Sequence, residues 1–314
     1  MRVSRRAFVR RSTGLAALLC GAARLAVPSQ TLAIEPLPQP SPPRARARLP
    51  TRTFTLGRSV SGQPIEATSL GSGPVAVAFI GNIHGGWEPM ARVVVDLGLD
   101  YFLEHPSEVP PRTTLYFVPT MNPDGYQAGR PLWEDADGTG GTGDVALAWT
   151  AFNAHAIDLN RNFPTNWSSD ACGGERARLI GGGPCLAGLG GPRPFSEPET
   201  RAYRDFILRR NVRWALTYHE DQTPAVLGRE GGGGPSEPFA LELAELAGYP
   251  YVPTTTAYPV TGHAWDWLDA IGVQGAEIEL EYRTLDQDFN ISAVQLLIER
   301  ALGVKGRAQS PQAE

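Results

Sequence analysis

The chain has 314 residues with a formal charge of −5, long enough for one large domain with a substantial core. An acidic balance and no basic patch interleaved with aromatics exclude nucleic acid as the expected partner. Hydrophobic residues make up 42%, an ordinary globular share.

The N-terminus reads as a leader rather than as part of the fold. An arginine-rich start, a moderately apolar stretch and small residues near Ala33 give a secretory pattern, and Ser4-Arg5-Arg6-Ala7-Phe8 has the form of a twin-arginine signal. Cleavage near Ala22 or Ala23 fits equally. The apolar run from Leu15 to Val27 is short and interrupted by Arg24, so no stable membrane span is expected. Residues 1–33 hold six arginines and no acid, so their removal takes the formal charge from −5 to −11. The expected location is periplasmic or extracellular. Cys172 and Cys185 would remain after cleavage. In an exported protein they read as one disulfide closing a Gly-rich loop, the alternative being two free thiols.

Residues 34–50 form a Pro/Arg-rich linker without core-building residues. From 51 to 306 the chain reads as a single α/β domain, followed by a disordered tail over 307–314. Strands are predicted at "VAVAFI" (75–80), "TTLYFV" (113–118), "RWALTY" (213–218) and "GAEIEL" (275–280), short apolar runs rich in β-branched and aromatic residues. Helical patterns lie between and after them, at 89–105, 196–210, 236–248 and 291–302. Ser196 with Glu199 predicts a capping box for the second, Ser236 begins the third, and Gly248 with Pro250 predicts its end. Strands alternating with helices imply a mainly parallel, or mixed, twisted sheet covered on both faces, with its site at the C-terminal ends of the strands. Segments 134–144, 173–192 and 229–235 are Gly-rich and read as non-helical. The first, "DADGTGGTGD", faintly suggests a calcium loop but lacks its spacing.

Chemistry gathers where the strands end. His84 and Glu88 follow the first strand, His219 ends the third, and Glu279 lies in the last. Two histidines and one glutamate form a catalytic zinc set, with a fourth position left for water. The stretch "AIDLNRNFPTNW" (156–167) places Asp158, Asn160 and Arg161 together. An arginine held in this way grips a carboxylate through two parallel hydrogen bonds, or else belongs to a surface ion pair.

Seven stretches taken in order resemble the zinc carboxypeptidases of the carboxypeptidase A type, and among them the bacterial murein-peptide amidases. They run from "GNIHGGWEP" through "NPDGY", "DLNRNFPTNW", "PFSEPET" and "TYHE" to "TTAYPVTGHAWDW" and "AEIELEYR". The resemblance implies one zinc per chain, held by His84, Glu88 and His219, with Asp158 orienting His84. It implies that Asn160 and Arg161 bind a free C-terminal carboxylate, that Tyr258 caps the substrate, and that Glu279 acts as general base and then acid. The substrate it implies is a peptide or cell-wall peptide with a free carboxylate end. A murein-peptide amidase, a deacylase of small N-acyl amino acids and a catalytically silent binding module remain as alternatives.

Two departures from the family pattern stand out. His84 and Glu88 are four residues apart where the family has three, an excess that the flexible Gly85-Gly86 pair would absorb. The family's oxyanion arginine lies between "NPDG" and "NRNF", and the single arginine in that interval is Arg130, which is assigned the role unless it is a surface residue. The resemblance also places Glu277 and Trp265 at the pocket for the terminal side chain, with His263 near it. Glu277 would attract an ammonium group, or else be solvated or paired with Arg283. His105 is expected to end a helix and His155 to be structural.

Overall fold

The structure is a computed structural model and describes residues 49–134, 145–253 and 258–304. The predicted leader, most of the predicted linker, the Gly-rich segment 135–144 and the predicted tail lie outside these. Among the described residues the strands are β1 (Thr51–Arg58), β2 (Pro64–Gly71), β3 (Val75–Gly81), β4 (Thr113–Val118), β5 (Ala171–Cys172), β6 (Cys185–Leu186), β7 (Trp214–Asp221), β8 (Ala225–Leu227), β9 (Tyr251–Val252) and β10 (Gln274–Glu281). The helices are α1 (Pro89–Glu104), α2 (Pro123–Glu134), α3 (Val145–Trp149), α4 (Glu175–Gly181), α5 (Pro198–Arg209), α6 (Glu237–Ala247), α7 (Ala264–Ala270) and α8 (Gln287–Ala301).

Eight strands form one mixed sheet in the order β1-β2-β4-β3-β7-β10-β8-β9. The four apolar runs predicted from sequence become its centre, and neighbours β4, β3, β7 and β10 are mutually parallel. Their side chains are buried on both faces, as continuous apolar runs require. Val77, Phe79, Leu115, Phe117, Leu216, Tyr218, Ala276 and Ile278 point to one face, where α1, α6 and α8 cover them. Ala76, Ala78, Ile80, Tyr116 and Val118 point to the other, beneath α5 and α7. Burying one such large apolar side chain contributes about 1.5–3 kcal/mol, so these two layers hold the central strands in register.

The crossovers create the site. From β3 the chain passes through α1 to β4 on one side, and it returns through α5 to β7 on the other. Consecutive loops therefore leave the strand ends in opposite directions between β3 and β7, which opens a crevice at the carboxyl edge of the sheet.

Several local expectations differ from the structure. The edge hairpin β1–β2 lacks a clear signal because β1 ("TRTFTLGR") is mostly exposed and alternates Thr and Arg with its apolar residues. The capping box does not form: Glu197 is the residue that precedes α5 and no side chain caps it. Ser196 Oγ instead donates to Glu197 (2.7 Å), and Glu199 accepts from the Val60 backbone N–H (2.9 Å), which ties the hairpin turn to α5. Ser236 precedes α6 but donates to the Val273 carbonyl rather than capping. Gly248 ends α6 in the left-handed conformation as read. The segment 173–192 is not free of helix, because α4 lies within it, too short between its glycines to show a period. Cys172 and Cys185 are bonded across the β5–β6 pair.

Candidate metal centre and substrate cleft

The turn after β3 brings His84 and Glu88 together. Asn82, at a positive φ of 55°, donates from Nδ2 to the carbonyls of Gly85 (2.6 Å) and Glu88 (2.7 Å) and accepts from Thr120 Oγ1. A short helical turn at 85–87 takes up the extra residue between ligands. Gly85 and Gly86 serve here by close packing rather than by flexibility. A Cβ on Gly85 would lie 2.5 Å from the Thr150 carbonyl oxygen, and one on Gly86 would lie 2.4 Å from Gly129 Cα on α2.

The pleat does the same work for the strand residues. Glu279 lies opposite His219 and Glu277 opposite Thr217 in the parallel β7–β10 register. Alternation then puts these residues on the face away from Leu216 and Tyr218. His84 Nδ1 lies 2.6 Å from Glu88 Oε1, His219 Nδ1 lies 2.9 Å from Glu88 Oε2, and the two Nδ1 atoms are 3.2 Å apart. All three side chains are buried, and among the described residues they form a group able to hold a metal ion. Tetrahedral zinc with bonds of ~2.0–2.1 Å sets its donor atoms about 3.3 Å apart, so the nitrogens fit and the Glu88 oxygens need only a small outward shift.

Each histidine turns its other nitrogen to a buried carboxylate. His84 Nε2 faces Asp158 Oδ1 at 3.3 Å, and His219 Nε2 faces Glu277 Oε2 at 3.3 Å. Such outer carboxylates fix ring orientation and raise ligand basicity. Asp158 was expected in this place. Glu277 was expected as a selector, yet its second oxygen faces His263 Nε2 at 3.1 Å, and Arg283 is not its partner. Burial pushes the Asp158 and Glu277 carboxyls up, but the neighbouring histidines hold both well below the usual range, as they do Glu88. Burial lowers His263, and Glu277 and Asp266 more than offset it, raising the imidazole to about 9. Glu279 behaves oppositely. Burial, opposed by His219 and reinforced by Glu88 and Glu277, lifts it to about 8, and its Oε2 has no hydrogen-bond partner among the described residues.

A cleft of about 310 Å³ opens over this group, lined among others by Asn160, Arg161, Tyr258, His263, Glu277 and Glu279. That volume suits a small ligand or a chain end. Arg161 is buried and braced, donating from Nε to the Cys172 carbonyl (2.7 Å) and from Nη1 to the Asn160 carbonyl (2.7 Å). Asn160 Oδ1 accepts from the Ala264 backbone N–H (3.0 Å). The Tyr258 ring lies against Gly174, where a Cβ would come within 2.8 Å of it.

Two sequence assignments are corrected. Arg130 is exposed on α2 and does not line the cleft. Trp265 is fully buried in the core beneath α7 and shapes no pocket, because the turn of α7 carries it towards the sheet. Among the other histidines, His105 ends α1 and His155 pairs with Glu197 at 2.7 Å.

Two further residues line the cleft, Arg176 without a sequence signal and Glu220 inside the "TYHE" stretch but without an assigned role. Arg176, on α4, places Nη1 3.3 Å from Glu88 Oε1, and Nη2 3.2 Å from His84 Nε2 and 3.5 Å from Asp158 Oδ2. Glu220 is buried, accepting from the backbone N–H groups of Met90 (2.6 Å) and Arg283 (3.0 Å), and burial raises it to about 7. It thereby joins the start of α1, and so Glu88, to the end of β7.

A mixed α/β sheet with a His–Glu–His donor set and an unpaired glutamate at its strand ends has the layout of a metal-dependent hydrolase. The sequence pattern of the zinc carboxypeptidases matches residues 45–226, and the chain belongs to that family. The match ends before Tyr258 and Glu279.

Relatives agree with this placement. Gamma-D-glutamyl-L-diamino acid endopeptidase 1 of Lysinibacillus sphaericus is 25% identical over 268 residues, 79% of this chain and 65% of the relative. Mouse carboxypeptidase Z is 33% identical over 135 residues, 38% of this chain and 19% of the relative. The chain thus spans less than two thirds of the length of either. Bovine thrombin-activatable fibrinolysis inhibitor, solved in complex with tick carboxypeptidase inhibitor, shares the fold with a TM-score of 0.57 at 16% identity, over 81% of this chain and 90% of that one.

Proposed function

We propose that the protein is an exported zinc-dependent metallocarboxypeptidase that hydrolyses the C-terminal peptide bond of a peptide. The observation that carries this reading is the braced Arg161 in the same cleft as the His84–Glu88–His219 set. A cation recessed beside a hydrolytic centre, with Asn160 next to it, favours a substrate that ends in a carboxylate. Tyr258, resting on Gly174, closes over that end.

His84, Glu88 and His219 would hold the zinc, which supplies Lewis acidity and makes water nucleophilic at neutral pH. Glu279 takes the proton from the attacking water and returns it to the leaving amine, work that suits a carboxyl in the cleft whose Oε2 has no hydrogen-bond partner among the described residues. Asp158 and Glu277 keep the two imidazoles in orientation. The twin-arginine-type leader over 1–33, the linker over 34–50 and the Cys172–Cys185 bond support export of a catalytic domain over 51–306.

The test is zinc content together with hydrolysis of an N-blocked dipeptide and of its C-terminal amide. One zinc per chain and at least tenfold preference for the free carboxylate are expected. Equal cleavage of both would overturn the chain-end reading. A second reading, a murein-peptide amidase, is favoured by the similarity to the Lysinibacillus endopeptidase over most of this chain. It predicts that a γ-D-glutamyl-diaminopimelyl peptide outcompetes α-linked dipeptides. Preference for a free N-acyl amino acid would indicate a deacylase, and full zinc without turnover of any of these would indicate a binding module.

A further inference from the structure

The proposed peptidase reading leaves one need unmet, a donor for the oxygen of the scissile carbonyl, because Arg130 lies outside the cleft. We propose that Arg176, carried on the disulfide-closed segment 172–185, is that catalytic residue.

Four observations support it. Arg176 lines the cleft and is only 8% exposed, so its guanidinium is a buried cation at the reaction centre rather than a solvated surface charge. Nη1 lies 3.3 Å from Glu88 Oε1 and 3.4 Å from His84 Nδ1, placing it beside two of the metal-donor atoms. A carbonyl oxygen polarised at that centre would fall within its reach. Its Nε is buried without a hydrogen-bond partner among the described residues, so the side chain has donor capacity unspent there. Arg161 donates from Nε and Nη1 to backbone carbonyls at 2.7 Å each, whereas the Arg176 Nη contacts to Glu88 and Asp158 are longer, 3.3 and 3.5 Å. The two arginines divide the substrate between them, Arg161 at the chain end and Arg176 at the bond that breaks.

The disulfide gives this arrangement its geometry. Cys172 and Cys185 close the loop that contains α4, the Cys172 carbonyl accepts from Arg161, and Gly174 in the same loop seats Tyr258. One covalent clamp thus sets the positions of three substrate-facing groups.

The chemistry balances. Water loses a proton to Glu279 while its oxygen bonds to the carbonyl carbon. The carbonyl π pair moves onto oxygen, where Arg176 donates a hydrogen bond without transferring its proton. When the C=O bond re-forms the C–N bond breaks, and Glu279 returns the proton to nitrogen. A donor aimed at that oxygen is worth about 10²–10³ in kcat.

The experiment compares wild type, Arg176→Ala and Arg176→Lys for zinc content, kcat and KM on a blocked dipeptide. It also measures binding of a blocked dipeptide phosphonate, a tetrahedral anion, and of the product amino acid. Arg176→Ala should keep its zinc, lose about 10²–10³ in kcat with KM changed less than threefold, and regain part of the loss with added guanidinium. Phosphonate binding should weaken at least tenfold while product binding holds. Arg176→Lys should fall between, since it keeps the charge but loses the fork. Normal kcat in both variants, with wild type active, would overturn this assignment alone. Loss of zinc in both, with kcat per bound zinc unchanged, would overturn it in favour of a positioning role. A wild type that cleaves none of the dipeptides would overturn the peptidase reading and this assignment with it.

Discussion

The two halves of the cleft are built differently. His219, Glu277 and Glu279 stand on β7 and β10, where one parallel register and the pleat fix them on a common face. The cations stand on irregular chain: Arg161 in a single helical turn at 159–161, and Arg176 on the seven-residue α4. Glycines at close approaches and one disulfide hold that second half together. A Cβ on Gly262 would lie 2.2 Å from the Arg161 carbonyl oxygen, and one on Gly190 would lie 2.1 Å from that of Ser168. The contrast shows how charge of both signs can be brought into one cleft without collapse. The sheet resists movement of Glu277 and Glu279, while irregular chain brings the arginines into the same cleft under covalent restraint.

The comparison can be broken first at a strand ligand. His219→Ala should abolish activity together with bound metal, since it removes one of three donors; metal analysis showing full occupancy would refute the ligand set. Glu279→Gln should retain zinc and lose about 10²–10⁴ in kcat, because an amide cannot accept the proton. Near-normal turnover would move the base elsewhere.

On the loop side, Cys172→Ser with Cys185→Ser should lower kcat/KM by about 10²-fold through small displacements of Arg161, Arg176 and Tyr258. It should also cost roughly 2–4 kcal/mol in denaturant unfolding. Zinc content should hold, because none of the three donors lies in that segment. Parallel loss of zinc would erase the distinction between halves.

Glu277→Gln tests whether this carboxylate serves His219 or the substrate. Metal affinity should fall about 10–100-fold, with the Lys-to-Phe preference on blocked dipeptides little changed. The reverse pattern would restore its role as a selector of ammonium groups. The smallest effect is expected at Arg130→Ala, within about twofold in kcat/KM and ±0.5 kcal/mol in stability, as for other exposed positions. A loss as large as that at Arg176 would reverse their assignments.

The sequence by itself determined the central strands and most of the candidate metal centre. Apolar runs such as Val75–Ile80 have no stable fate except burial on both faces, and the residues that follow them must then meet at the strand ends. The His84–Glu88 pair, Asp158 to Arg161 and the cysteine pair were legible for a related reason, since their partners lie close along the chain or in a recognisable order. The edge strands β1 and β9 and the neighbouring β8 were not, β1 being half-solvated and the other two only two or three residues long. Only the tertiary structure decided that Glu277 backs His219, because this depends on which of two ring nitrogens faces the neighbouring strand. It also decided that Trp265 belongs to the core and that Arg176, rather than Arg130, reaches the cleft. Those outcomes depend on the direction in which a short helix points its side chains. For α4 that direction is set by a disulfide and by packing against distant residues, neither of which leaves a period in the local sequence.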